Sequence, residues 1–252
     1  MGSVHLRRSA SDFIRDCEVG LNLIVPDGIP AVKTFAKALL SNLCLLAVLP
    51  AVGLYRLQSI ICGSDRTFSG WSQLFSLLPG QTGIYLRRAF YSCTLKVCRP
   101  DACISFGTLF TNPKASVGRT TCVGGFCSIG NVQIGDDVLI ASHVSLMNGC
   151  HQHGIERLDV PMREQPGELE PISIGDDTWI GERATVAANV GTHCIIGAGA
   201  LVLTPIPDYA IAVGSPARVI RDRRDGEAAE ASAEFPQPTT GRGESPTASN
   251  HP

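Results

Sequence analysis

A six-residue repeat in the second half of the chain constrains the fold more than any other feature. From Val117, an aliphatic residue followed by Gly or Ala recurs as Val117-Gly118, Val123-Gly124, Ile129-Gly130, Ile134-Gly135 and Ile140-Ala141. The pattern resumes as Ile174-Gly175, Ile180-Gly181, Val186-Ala187, Val190-Gly191 and Ile196-Gly197. Most steps are six residues, but Ile129 to Ile134 is five and Val186 to Val190 is four. Four residues after many anchors stands a small or β-branched side chain: Thr121, Cys127, Val138, Val144, Thr178, Ala184, Cys194 and Ala200. This period matches neither a helix near 3.6 nor a strand at 2. It predicts short flat strands joined by tight turns and wound into a solenoid, each coil burying its aliphatic residues against the next. On this reading the anchor fills the axis, the small residue shares the narrow interior, and glycine lets the backbone bend at each corner.

The 252 residues, 44% of them hydrophobic, can bury a sizeable core in one or two domains. A net charge of −2 conceals an asymmetry: residues 1–100 carry 11 Lys and Arg against 5 Asp and Glu, residues 101–252 carry 10 against 18. An acidic solenoid with no nucleic-acid motif argues against a nucleic-acid partner. The ten cysteines include no C-x-x-C pair and follow no ligand spacing, so neither a disulfide framework nor a metal is expected. Cys127 and Cys194 fall on the small interior position and read as core filler, reduced in a cytosolic compartment. Residues 1–30 lack the basic start, apolar stretch and cleavage site of a signal peptide. The expected location is cytoplasmic.

Three parts follow: an apolar, basic, helical region over 1–103, a solenoid over 104–221, and a tail over 222–252. The tail is poor in apolar residues and is expected to be disordered. From Ala38 to Tyr55 run 18 uncharged residues between Lys37 and Arg56, interrupted by Pro50. That is close to a membrane-spanning length of about 20 residues, and Pro50 would kink or break a helix. A short interfacial hairpin, a true span and a helix packed on the solenoid all remain open. The bases beside the run point to an anionic membrane surface. Trp71, Arg87, Arg88 and Tyr91 would suit an interfacial collar, or an ordinary helix and turn leading into the first coil.

The repeat breaks once at length, over residues 147–171. This stretch is too polar for another coil and holds His151 and His153; loops leaving a solenoid often build its site. Acyl transfer from a thioester to a hydroxyl or amine needs a base of near-neutral pKa, and His suits that role. His143 and His193 fall at outward positions three after Ile140 and Val190, as surface residues or contacts across a subunit boundary. Asp136-Asp137 and Asp176-Asp177 read as turn formers.

These features resemble the hexapeptide-repeat acyltransferases. Pro171-Ile172-Ser173-Ile174-Gly175-Asp176-Asp177-Thr178-Trp179-Ile180-Gly181 is similar to a P-I-x-I-G-D-x-x-W-I-G signature of the galactoside, maltose and nodulation-type acetyltransferases. Ile196–Val202 and Gly214–Arg221 are similar to their last coil and capping segment. The resemblance covers roughly residues 104–221. It implies a mainly β, left-handed parallel β-helix, a homotrimer, and acetyl-CoA lying between coils of adjacent subunits. It implies that His151, five residues after Leu146, is the general base, with His153 as the substitute. It implies cofactor contacts from Trp179, Glu182, Ala198, Gly199, Leu203, Thr204, Arg218 and Arg221, with Pro205 standing where the family usually carries Lys. The implied reaction is O-acetylation of a sugar hydroxyl in a surface polysaccharide or glycolipid precursor, at the inner membrane face. A soluble small-molecule acceptor, a γ-type carbonic anhydrase using His151 and His153, and a non-catalytic scaffold remain as alternatives.

Overall fold

The computed structural model describes residues 30–150 and 152–225. The expected disordered tail therefore lies, from residue 226 on, outside the described residues. Three helices come first: α1 (Pro30–Cys62), α2 (Ser64–Ser76) and α3 (Gly80–Thr94). Fifteen short strands then wind into three parallel sheets, and a sixteenth closes one of them.

The first sheet stacks β1 (Val97–Cys98), β4 (Ser116–Val117), β7 (Val132–Ile134) and β10 (Ile172–Ile174). The second stacks β2 (Cys103–Ile104), β5 (Cys122–Val123), β8 (Leu139–Ile140), β11 (Trp179–Ile180), β13 (Ile195–Ile196) and β15 (Ala210–Val213). The third stacks β3 (Leu109–Phe110), β6 (Ser128–Ile129), β9 (Ser145–Leu146), β12 (Thr185–Val186) and β14 (Leu201–Val202). The solenoid makes about six turns. Its last strand, β16 (Arg218–Asp222), pairs antiparallel with β15, so ordered structure passes the 222 boundary expected from composition.

The registers explain the irregular repeat. Ser116 pairs with Gln133, 17 residues on, and Trp179 with Ile195, 16 on, whereas Leu139 pairs with Trp179, 40 on. Both short steps fall at the same corner, between the third and first sheets, so they shorten a coil without shifting its faces. The first coil starts at Val97, ahead of the expected Ile104, and its strands lack the aliphatic-glycine doublet that marks later coils.

Every anchor from Val117 to Ile196 is buried, and so are all eight small residues four positions later. The small residues also bond between coils. Thr121 Oγ1 donates to Gly135 O at 2.7 Å and accepts from Val138 N at 3.2 Å, and Thr178 Oγ1 repeats the pattern with Gly191 O and Cys194 N at 2.9 and 3.1 Å. Cys127 and Cys194 donate Sγ–H to Ala141 O and Pro207 O. They fill core and satisfy carbonyls together, and burial pushes both thiols up.

The role expected for glycine is different. None of the glycines after the anchors has positive φ; the bend is made by the residue before each small side chain. Asp137, Asp177, Arg183 and His193 sit there with φ between 48 and 60°. The anchor glycines are small for another reason: a Cβ on Gly175 would lie 2.5 Å from Thr192 N, and one on Gly118 would lie 2.2 Å from Gly135 O. Coils touch backbone to backbone there. Asp136 and Asp176, expected as turn formers, also link coils: Asp136 Oδ1 accepts from Arg119 N at 2.7 Å and Asp176 Oδ1 from Asp136 N at 2.8 Å.

The helices cover the open end of the first coil, which a solenoid must hide from water. Phe110 N donates to Ser72 Oγ at 2.9 Å, Gly107 N donates to Ser76 O at 2.9 Å, and the buried Arg87 donates Nε–H to Ile104 O at 2.9 Å. Arg87 and Tyr91 are fully buried, Tyr91 edge-on to Phe110 at 4.8 Å. Neither belongs to a membrane collar. Trp71 is half-buried and donates Nε1–H to Gln58 at 3.0 Å. Nor does Pro50 make a hairpin: α1 runs through it as one helix, held on both sides by Cys44, Val48 and Tyr55 in the aromatic core. Tyr55, Phe68, Phe75 and Phe90 form that core, with Phe75 and Phe90 stacked at 4.1 Å. Burying each such ring stabilises the cap by about 1.5–3 kcal/mol.

Candidate active site

The 40-residue register step between β8 and β11 holds the loop expected to carry the chemistry. It leaves the third sheet after β9, whose partner β12 begins the same face one coil later. Gly149 turns the chain at φ 80°, with Glu170 against it, so the two ends of the loop meet. Inside the loop, Gln165 is buried. Its Nε2 donates to Arg157 O at 2.6 Å and Val160 O at 3.0 Å, and its Oε1 accepts from Arg157 N at 3.1 Å. A Cβ on Gly167 would lie 2.0 Å from Gln152 O, so the outgoing and returning segments of the loop touch. The loop is a folded unit. Gln165 escaped the sequence reading because no repeat calibrates this stretch, and a lone Gln carries no signal.

His151 lies outside the described residues. Its neighbour Cys150 places the loop base: Cys150 Sγ approaches Ala187 O at 3.6 Å and Leu203 O at 3.7 Å. Leu203 and Thr204 are exposed just past β14, so these two predicted cofactor residues stand at the loop base. His153 is exposed, and no hydrogen bond to it is seen among the described residues.

At the other edge of β14, Ala198 and Gly199 form an exposed corner. Gly199 has φ 67° and open space where a Cβ would stand, and its N–H donates to Glu182 O at 2.8 Å. Ala198, Gly199 and Glu182 are therefore one patch. From Gly199 to Leu203 the third sheet spans four residues, about 13 Å at strand rise. Gly214 O accepts from Leu201 N at 3.0 Å and Ala217 N donates to Leu201 O at 2.8 Å, which draws the capping segment onto this face.

The remaining predicted residues lie on the second sheet. Trp179 is 49% exposed and heads a row through Ile195 and Ile211 to Arg221. Three strand spacings separate Trp179 from Arg221, about 14 Å. Trp179 and Arg221 are thus not brought together. Arg218 and Arg221 are exposed and make no ion pair among the described residues, leaving both guanidiniums available to an anion.

The other histidines sit on corner turns. His143 stacks on Phe126 with centroids 5.3 Å apart. His193 Nδ1 lies 2.8 Å from Asp177 Oδ2, and its ring stacks on Tyr209 at 4.7 Å. Arg223 Nη1 donates to His193 O at 2.8 Å and meets Asp177 Oδ2 at 3.3 Å. The His193 hydrogen bond, with Arg223 beside it, holds the Asp177 carboxyl below its ordinary range. Among the described residues no group of three or more His, Cys, Asp or Glu is placed to hold a metal ion.

By repeat and geometry the solenoid is a left-handed parallel β-helix, and its motifs are similar to those of hexapeptide-repeat acetyltransferases. No family model matches the chain. Among curated proteins it is 34% identical over 120 residues to a probable acetyltransferase of Mycobacterium tuberculosis, covering 47% of this chain and 38% of that protein. It is 39% identical over 98 residues to galactoside O-acetyltransferase of Escherichia coli, covering 37% of this chain and 45% of the relative. The chain thus spans less than half the length of either. Among solved structures, a galactoside acetyltransferase in complex with coenzyme A superposes with a TM-score of 0.54 at 24% identity, covering 66% of this chain and 86% of that one. The likeness in structure is one of fold.

Proposed function

We propose that the protein is an acetyl-CoA-dependent O-acetyltransferase acting on a sugar hydroxyl of a glycan or glycolipid precursor, with His151 as general base. The observation that carries this reading is the meeting of the one long loop with the third sheet. The residue before His151 packs against Leu203 O, and the bare Ala198–Gly199 corner lies one short strand away. An extended thioester arm laid along that sheet would pass from open backbone to the loop base. Arg218 and Arg221, with no acidic partner among the described residues, would hold its phosphates.

The chain's own chemistry is then simple. A neutral His151 takes the proton of the acceptor hydroxyl as that oxygen attacks the thioester carbonyl. The imidazolium returns the proton to the departing CoA sulfur, so no net charge accumulates on the protein. Glu182 and Trp179 line the approach rather than take protons. Galactoside O-acetyltransferase as a relative supports a sugar acceptor, and the apolar α1 supports one presented at a membrane surface, in the cytoplasm. A homotrimer fits the outward apolar row Leu139, Trp179, Ile195 and Ile211, which association would cover.

The test is acetyl transfer to a panel of galactosides and maltosides, read as released thiol, beside CoA affinity by calorimetry. His151→Ala is expected to lower kcat by about 10²–10⁴ with CoA affinity kept, and His153→Ala to cost far less. A dead His153→Ala with an active His151→Ala would move the base to His153. Two active variants would overturn the general-base mechanism. Acetylation of amino acids or antibiotics with none of sugars would replace the glycan acceptor by a soluble one.

A further inference from the structure

The helix α1 is apolar on both sides. Its inward stripe, Cys44, Val48 and Tyr55, is buried in the aromatic core shared with α2 and α3. At about 100° per residue, Leu39, Leu43, Leu46, Leu54, Leu57 and Ile61 fall on the opposite side, and all six are exposed, Leu46 by 63% and Ile61 by 77%. Only 17% of the helix's most apolar window is buried. A soluble surface helix would carry polar groups there. With Leu45, Leu49 and Ile60, which are exposed as well, the apolar arc covers about half the circumference, whereas a packed helix covers a stripe of roughly 100°. A second copy would leave much of so convex an arc wet; a fluid can cover it.

Three hydrogen bonds fix the inward side along its length. Arg88 Nη2 donates to Ser41 Oγ at 2.7 Å, Arg56 Nη2 to Cys93 O at 2.9 Å, and Trp71 Nε1 to Gln58 at 3.0 Å. The helices they reach are in turn bonded to the first coil. A spanning orientation would drag α2, α3, their arginines and that coil into hydrocarbon. Charge favours an anionic surface: residues 28–64 contain no Asp or Glu, and Arg56 and Arg66 are exposed beside the apolar side.

We propose that α1 is an in-plane membrane anchor, lying parallel to an anionic bilayer with Leu39, Leu43, Leu46, Leu54, Leu57 and Ile61 in the acyl-chain boundary. The 25 residues Ala38–Cys62 then lay about 37 Å of helix along the surface rather than through it. This deepens the membrane-facing part of the proposed function and rests on packing rather than on the transferase chemistry.

The test uses the full chain with its exposed cysteines changed to serine and one nitroxide at a time at position 39, 46, 49, 57 or 61. It is bound to vesicles of three parts phosphatidylcholine to one part phosphatidylglycerol. In-plane seating gives one shallow depth at positions 39, 46, 57 and 61. A profile deepest near position 49 and wet at positions 39 and 61 would mean a span and overturn the proposal. So would labels that stay wet throughout, or labels broadened by a second copy. In sedimentation, Leu46→Ser with Leu57→Ser should lose about tenfold or more of the vesicle partition, with an unchanged melting temperature. Arg66→Gln should lose only the part that depends on phosphatidylglycerol and falls with salt. CoA affinity measured alongside separates failure of the anchor from failure of the transferase reading.

Discussion

Glycine and the left-handed turn residues do opposite work in this solenoid, and substitutions should expose it. Gly175→Ala sets a methyl against the backbone of Thr192 and Gly191 and is expected to destabilise by about 1–3 kcal/mol, as overpacking does. Arg183 has φ 58° and an exposed side chain. Arg183→Gly should stay within about 0.5–1 kcal/mol of the parent, because relief of left-handed strain offsets the entropy of glycine. Denaturant melts of the two variants check the pair; equal losses would return the bend to the glycines. Buried thiols give a second test. Cys127 and Cys194 are held as neutral thiols by burial, so at pH 8 they should stay unmodified by iodoacetamide for as long as the fold persists, while exposed Cys62 and Cys150 react. The repeat made the interior cysteines legible as core. It could not reveal why glycine recurs, because corner bending and close contact leave the same letter in a sequence.

Among the elements, the loop over 147–171 depends on Gln165, which gathers three hydrogen bonds from both of its sides. Gln165→Ala should leave the coil melting temperature unchanged, raise proteolytic cleavage within the loop, and lower kcat/KM about tenfold or more if the loop positions His151 as proposed. The closing strand β16 is held differently. Arg223 ties it to Asp177, whose carboxyl the His193 hydrogen bond and Arg223 together hold below its ordinary 3.8. Depressed carboxylates contribute stability that is full above the ordinary pKa and is lost as pH falls through the lowered one. The strand should therefore hold at pH 4.5 and loosen only as pH falls below the ordinary 3.8, read as pepsin trimming after Tyr209. Arg223→Gln should already be trimmed at pH 4.5. Sequence showed the loop's place and its histidines, but the Asp177–His193–Arg223 clasp joins residues 16 and 46 apart that only the winding stacks together.

For the whole molecule, the outward row Leu139, Trp179, Ile195 and Ile211 runs down the second sheet on successive coils. Multi-angle light scattering at micromolar concentration should give three times the chain mass of 26.7 kDa. Trp179→Glu should shift it toward one, since a charge in a covered apolar row is left without a partner. A parent chain that runs as a monomer would overturn the proposed homotrimer.

What the sequence determined by itself was the solenoid: its faces, its buried column of aliphatic anchors and the place of its break. Those follow from a short period repeated ten times, where each coil imposes the same condition on the next. The tertiary structure decided what has no period. It made α1 one helix through Pro50, because Cys44, Val48 and Tyr55 pack on both sides of the proline. It turned Arg87 and Tyr91 into a cap on the first coil. It also separated Trp179 from Arg221 along the second sheet while gathering Cys150 and Leu203. Such contacts depend on which unrelated segments share a boundary, and a boundary exists only once the coils are wound.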